Sequence, residues 1–269
     1  MTDRVNMRQA WNRISPGYQE DYQIPTDFVH YGPHCPNEDQ LQLIGDVRGK
    51  HVLEIGCGGG QCAVAFAKRG AIATGVDIAD TQIRFARELA RREGVEVTFI
   101  RRGIEDLTPI ADASQEVVFS AYAVNYVRRI DRCFGEVARV LRPGGLLVFS
   151  GCHPFWLCLA EARMAVVTSY HERTPDEWDW ERRGKRLNAV VREYRRTIGD
   201  WHRLLREAGL EVLDIIEPEP VESGSGQDWG GHYSPKRQRM VPATIIWKAR
   251  RPFTTRGALR RQESDDERP

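Results

Sequence analysis

Short apolar runs punctuate this chain at intervals, and the stretches between them are amphipathic. The runs fall at 52–55, 71–77, 95–100, 117–120, 146–150, 211–216 and 243–248. Each has the length of a strand; 95–100 alternates apolar with polar, while the others are nearly continuous, as strands buried on both faces are. Between them the apolar residues take helical spacing. Residues 63–67 do so, and in 81–93 Ile83, Phe85, Ala86, Leu89 and Ala90 make one face with arginines outside it. Gly94 stops that helix. Residues 130–141 predict another, ended by Arg142-Pro143-Gly144-Gly145. Thr197-Ile198-Gly199-Asp200 is a capping-box signature for a helix through Ala208. Strands alternating with helices predict an α/β fold around a mostly parallel sheet.

The first unit fixes the kind of ligand. Glu54 lies within the apolar run that Ile55 ends, Gly56, Gly58 and Gly60 follow with Cys57 among them, and then a helix begins. Glycines there let the backbone turn sharply and lie against a ligand. The dinucleotide fingerprint needs glycine at the fifth offset from the first, where this chain has Gln61. The second strand ends on an acid, Asp77. That spacing suits a carboxylate taking a ribose hydroxyl pair. Together they predict an adenosine ligand without a diphosphate.

With these motifs the chain resembles the class I S-adenosylmethionine-dependent methyltransferases, specifically the small-molecule, methyltransferase type 11-like group. The resemblance is specific over 47–153, including the run from Glu136 to Gly145, and looser to about 250. It implies a Rossmann-like, doubly wound seven-stranded sheet with strand seven antiparallel. It also implies S-adenosyl-L-methionine as cofactor, held by Glu54, Gly56, Cys57, Gly58, Gly60, Asp77, Ile78, Ile104, Glu105, Ser120 and Ala121. In the family an acid commonly contacts the adenine amino group from the position of Gly103. Here the backbone of Ile104 and Glu105 holds the ring alone, or the carboxylate of Glu105 or Asp106 substitutes.

Three divisions follow: a helical lid at 1–46, a methyltransferase domain at 47–250 with acceptor-pocket insertions at 154–196 and 217–241, and a polar, disordered tail at 251–269. In the lid Trp11, Ile14, Tyr18 and Tyr22 form an aromatic stripe that Pro16-Gly17 breaks or kinks. Trp11, Tyr18 and Tyr22 are expected to reach the cofactor; Tyr18, Tyr22 and Tyr31 offer ring faces to a sulfonium. Residues 37–45 predict a helix ending near Gly45, and 154–167 an apolar helix or lid, whereas 168–196 show no clear periodicity. The connection 217–241 carries Trp229, Gly230, Gly231, His232 and Tyr233.

Charge and cysteine usage narrow the partners. A net charge of +1 over 269 residues speaks against nucleic acid. No apolar run reaches the ~18 residues of a membrane span, and no signal peptide is evident. Six cysteines without C-x-x-C or zinc spacing suggest a reduced, cytoplasmic protein. His30, His34 and Cys35 cluster in a loop, but no metal is expected there. A homo-oligomer is compatible with the sequence.

Methyl transfer from a sulfonium is an in-line displacement that asks mainly for positioning. An acceptor hydroxyl or amine must also lose a proton. His153, directly after the fifth strand, is the candidate base, and Tyr126, after the fourth, the candidate orienting group. His202 is expected to be structural and His232 to be a pocket residue. The expected function is methylation of a small organic acceptor, in specialised metabolism. The alternatives are a macromolecular acceptor, a nucleotide-dependent oxidoreductase, or a non-catalytic binding protein on the same fold.

Overall fold

The computed structural model describes residues 5–160, 164–222 and 231–253. The tail from 254 onward, with Trp229 and Gly230, lies outside the described residues. In chain order the helices are α1 (Met7–Tyr22), α2 (Glu38–Leu41), α3 (Gln61–Lys68), α4 (Asp80–Arg92), α5 (Ile130–Val140), α6 (Ile198–Glu207) and α7 (Pro235–Gln238). The strands are β1 (His51–Ile55), β2 (Ile72–Asp77), β3 (Val97–Arg101), β4 (Gln115–Ala121), β5 (Leu141–Cys152), β6 (Asp176–Arg182), β7 (Lys185–Glu193), β8 (Glu211–Ile216) and β9 (Thr244–Arg250).

Seven strands form one sheet in the order β3-β2-β1-β4-β5-β9-β8. β9 runs antiparallel to both of its neighbours, and the other pairings are parallel. The α/β class and the antiparallel seventh strand are therefore those expected. Alternate side chains of the central strands enter opposite cores, which is why their sequences read as unbroken apolar runs. Leu53, Ile55, Val118, Phe149 and Trp247 pack with Phe134 of α5 and Trp201 of α6. Val52, Val117, Phe119 and Val148 face Cys62, Ala65 and Phe66 of α3. The order reverses between β1 and β4, placing a crevice outside their carboxyl ends.

Three expectations are corrected. Of the break or kink expected at Pro16-Gly17, the break does not occur: α1 runs through Pro16 without ending. Proline removes one backbone donor, but Ala10 and Ile14 are buried against Ala189 and Val191 of β7, and that burial holds the helix together. α2 stops at Leu41, short of Gly45, with Gln42 in the left-handed conformation. The buried Glu38 carboxylate accepts the backbone N–H groups of Leu43, Ile44 and Gly45 at 3.1, 2.7 and 3.0 Å, replacing helical partners. Residues 154–160 and 164–167 carry only a short 3₁₀ turn (Trp156–Cys158) and a bridge from Leu159 to Val166. Trp156 belongs to a local cluster with Cys152 and Ala243, against which Leu157 and Leu159 pack, so the apolar character of this stretch serves a compact turn.

Residues 168–196, which lack helical periodicity, hold an antiparallel hairpin of β6 and β7. Arg183 and Gly184 connect it with φ of 51° and 73°, the sign pattern of a twisted two-residue turn. The hairpin and α1 share a small core of their own, joined by Trp11, Tyr18, Trp180 and Leu187. Arg182 adds ion pairs to Glu20 and Asp21 at 2.8 and 2.6 Å. Together α1 and the hairpin form a cap over the carboxyl ends of the sheet.

Candidate functional site

A cavity of about 330 Å³ lies under this cap, at the crevice between β1 and β4. Its size falls within the range of small-molecule sites. Glycines shape the floor. Gly56 turns at φ +67°, and a Cβ there would lie 2.2 Å from the Ala123 Cβ, so only glycine lets the two loops meet. Gly60 caps α3 at φ +84°, where a Cβ would press on Ala86 and Phe99. Gly60 is therefore a packing residue and is not among the residues lining the cavity.

Two buried carboxylates flank the turn. Asp77 accepts the Gly58 N–H at 2.9 Å on one oxygen and the Ala79 N–H at 2.8 Å on the other. Burial raises its pKa, and the N–H groups of Ala79, Gly58 and Ile78 oppose the rise. Each oxygen keeps acceptor capacity for one more donor, which is what a ribose diol needs. Glu54 accepts the Ala63 N–H at 2.7 Å. Burial pushes Glu54 up to about 8, opposed by that hydrogen bond and reinforced by the charge of Asp77. A cation beside it would restore the carboxylate.

Of the residues expected at the site, Trp11, Tyr18, Glu54, Gly56, Cys57, Gly58, Asp77, Ile78, Ile104, Glu105, Ala121 and Tyr126 line the cavity. Tyr22 does not; its ring lies 4.6 Å from that of Tyr18, behind the wall. Ser120 is fully buried and donates to the Ile55 carbonyl at 2.9 Å, tying β4 to β1. Tyr31 is buried against Phe119 and bonded to Glu38, away from the cavity. At the third strand's end, the Glu105 carboxylate comes within 3.5 Å of where a Cβ on Gly103 would stand. Asp106 turns outward to Arg102 at 3.1 Å. Glu105 thus supplies an acid in the space that residue 103 leaves open.

His153 is the principal displacement from expectation. It is buried and absent from the cavity wall. Its Nδ1 accepts the Phe155 N–H at 3.1 Å, which puts the proton on Nε2, and Nε2–H donates to Glu217 at 2.7 Å. Both nitrogens are committed, burial lowers the pKa, and the ring has no lone pair left for a substrate proton. His232 receives the Trp156 indole N–H at 2.8 Å and is likewise outside the cavity wall.

The wall also contains residues that sequence patterning did not single out for the cavity. Gln19 of α1 donates to Gln82 at 3.0 Å and accepts from Gln61 at 2.6 Å, a bridge across the glycine turn. His30, Tyr122, Arg128, Arg192 and Tyr194 complete the opposite side. Gln61 carried a signal, because it breaks the dinucleotide fingerprint; Arg192 and Tyr194 sit on a hairpin with no helical or motif signature. Trp11 meets Tyr126 edge-on at 5.5 Å and Tyr18 at 6.3 Å, making an aromatic flank. Among the described residues no group of three His, Cys, Asp or Glu side chains could hold a metal ion. No described helix is long and apolar enough to cross a membrane.

Comparison with known proteins agrees with this geometry. Residues 53–149 match the family described as "Methyltransferase domain". A ubiquinone biosynthesis O-methyltransferase of Coxiella burnetii is 36% identical over 120 residues, covering 44% of this chain and 51% of that protein. A fatty-acid O-methyltransferase of Mycolicibacterium smegmatis is 38% identical over 111 residues, 40% of this chain and 39% of the relative. The chain therefore spans about half the length, or less, of these curated relatives. A crystal structure of an S-adenosylmethionine-dependent methyltransferase from Mesorhizobium loti superposes with a TM-score of 0.63 at 24% identity, covering 79% of this chain and 96% of that one.

Proposed function

We propose that this chain, whose residues 53–149 match a methyltransferase domain family, is a class I S-adenosylmethionine-dependent enzyme that methylates a small organic acceptor on oxygen, in the cytoplasm and in specialised metabolism. The observation that carries this reading is the cavity at the β1–β4 crevice, with a glycine turn below and Asp77 beside it. When bound, S-adenosylmethionine supplies an activated methyl group. Asp77 takes the ribose hydroxyls, Ile78, Ile104 and Glu105 bracket the adenine, and Glu54 with the turn holds the cationic methionine end. Trp11, Tyr18 and Tyr126 present aromatic faces on the acceptor side, which favour a nearby positive charge and a flat apolar acceptor. Tyr126 is half-buried, and its desolvation raises its pKa and keeps it a neutral phenol that orients without ionising.

Oxygen as the accepting atom is supported by the two relatives above, both named O-methyltransferases. The lid in this reading is α1 with the β6–β7 hairpin, since Val29, Tyr31, Leu43 and Ile44 pack into the core of the sheet domain, and Arg192 and Tyr194 shape the acceptor side. All six cysteines are free, in keeping with a reducing compartment. Calorimetry with S-adenosylmethionine, S-adenosylhomocysteine and NADH tests the cofactor. Labelled methyl transfer to 3,4-dihydroxybenzoate, dodecanoate and a primary amine tests the acceptor. Binding of the two sulfur ligands and label in a phenol or carboxylate is expected; NADH binding alone would sink the proposal.

A further inference from the structure

With both nitrogens of His153 committed, the acceptor's proton needs another destination. Among the residues lining the cavity there is one histidine, His30. It stands on the loop between α1 and α2, and its backbone is fixed over the crevice. Its carbonyl receives the Cys62 thiol at 3.9 Å, next to the glycine turn. Two residues on, Gly32 lies so close to the Tyr122 ring that a Cβ would be 2.2 Å from it. The loop thus spans from the start of α3 to the end of β4, on the side of the crevice away from Asp77 and Glu105.

The state of the ring sets it apart from His153. Nδ1 of His30 is buried and has no hydrogen-bond partner among the described residues. The protein therefore does not dictate its tautomer, whereas His153 is locked by two bonds. Burial holds the imidazole neutral by pulling its pKa down to about 4, so an uncharged ring faces the cavity at neutral pH. Nε2 has no hydrogen-bond partner among the described residues either and, unlike Nδ1, is not sealed off, so it is the nitrogen an acceptor O–H can reach.

We infer that His30 takes up the proton of the acceptor as its oxygen is methylated, an assignment that rests on the methyltransferase function proposed above. In this step the acceptor oxygen forms the new bond to the methyl carbon. The carbon–sulfur bond breaks and its electron pair stays on sulfur. The O–H bond also breaks, its electrons remain on oxygen, and the proton passes to His30. One positive charge is on sulfur before the step and one on the imidazole after it. Glu54 and Asp77 border the same cavity and favour cation at either location.

The test uses the full chain with 3,4-dihydroxybenzoate, whose phenol O–H groups keep their protons at neutral pH, as acceptor probe, comparing wild type with His30→Ala and His30→Gln. Turnover is read as transfer of labelled methyl from S-adenosylmethionine, and Kd for S-adenosylhomocysteine is measured separately. Both variants are expected to lose about 10²–10⁴-fold in kcat, with cofactor Kd and Tm unchanged; glutamine keeps a hydrogen bond but no basicity, so it restores phenol binding and not turnover. Turnover of either variant at the wild-type level, or a parallel loss of cofactor affinity, overturns the assignment. So does a wild-type complex that neither methylates nor binds the phenol. Wild type failing to bind cofactor would instead bring down the methyltransferase reading, and His30 with it.

Discussion

Asp77 holds the glycine turn through the Gly58 and Ala79 N–H groups, and the proposed function adds a ribose to the same carboxylate, so a substitution has to separate the two. Alanine would strand the Gly58 and Ala79 N–H groups as well as the ribose. Asp77→Asn keeps one carbonyl oxygen for the turn and removes the charge. Cofactor binding is expected to weaken by about 2–4 kcal/mol, the scale of one or two charge-assisted bonds, with circular dichroism unchanged. Calorimetry checks it, and wild-type affinity would remove Asp77 from the ribose. Glu54 makes a different prediction. Its pKa is raised in the fold to about 8, so between about pH 4.5 and 8 the folded chain holds more protons than the unfolded chain. Stability is then lost as pH rises through that window. Glu54→Gln should flatten that fall in Tm. Cofactor binding at neutral pH should release up to about one proton in wild type and none in the variant, read by calorimetry in buffers of different ionisation enthalpy. The glycines, Glu54 and Asp77 were legible because turn sterics and spacing constrain them. His153 misled because position after a strand says nothing about which partners a ring finds; Glu217 is 64 residues away in sequence.

At the scale of elements, helices and strands of the central domain announced themselves by periodicity, since each buries a continuous face. The hairpin did not. β7 buries only Ala189, Val191 and Glu193, alternating with half-buried or exposed residues among many charges. The short turn after β5 was misjudged for a related reason: an apolar run of that length fits a compact cluster as well as a helix. α1 is tied down by polar contacts as well as its core. Asn12 donates to Asp80 at 3.1 Å and accepts from the Thr81 N–H at 2.9 Å, and Gln19 bridges Gln61 and Gln82. Gln19→Ala should speed cofactor release several-fold in stopped-flow while Tm moves little, because neutral bonds of this kind are worth about 1 kcal/mol each. Equal release rates would show that the bridge does not hold the cap shut.

For the molecule as a whole, the sheet and its two cores are complete without the cap, which carries a separate core. Removing residues 1–22 should leave a cooperative thermal transition and far-ultraviolet spectrum of the sheet domain, and abolish methyl transfer. A chain that fails to fold after this deletion would make α1 a structural member instead. Sequence reading reached the seven-stranded sheet and its antiparallel strand through family resemblance and missed how the cap is assembled, since its two parts come from distant stretches. Arg13 and the Asn188 carbonyl, for instance, meet across 175 positions. At roughly 5–20 residues per second of synthesis, α1 leaves the ribosome some 10–35 s before the hairpin that covers it. Through that interval Ala10 and Ile14 lack Ala189 and Val191, the residues that cover them in the folded chain.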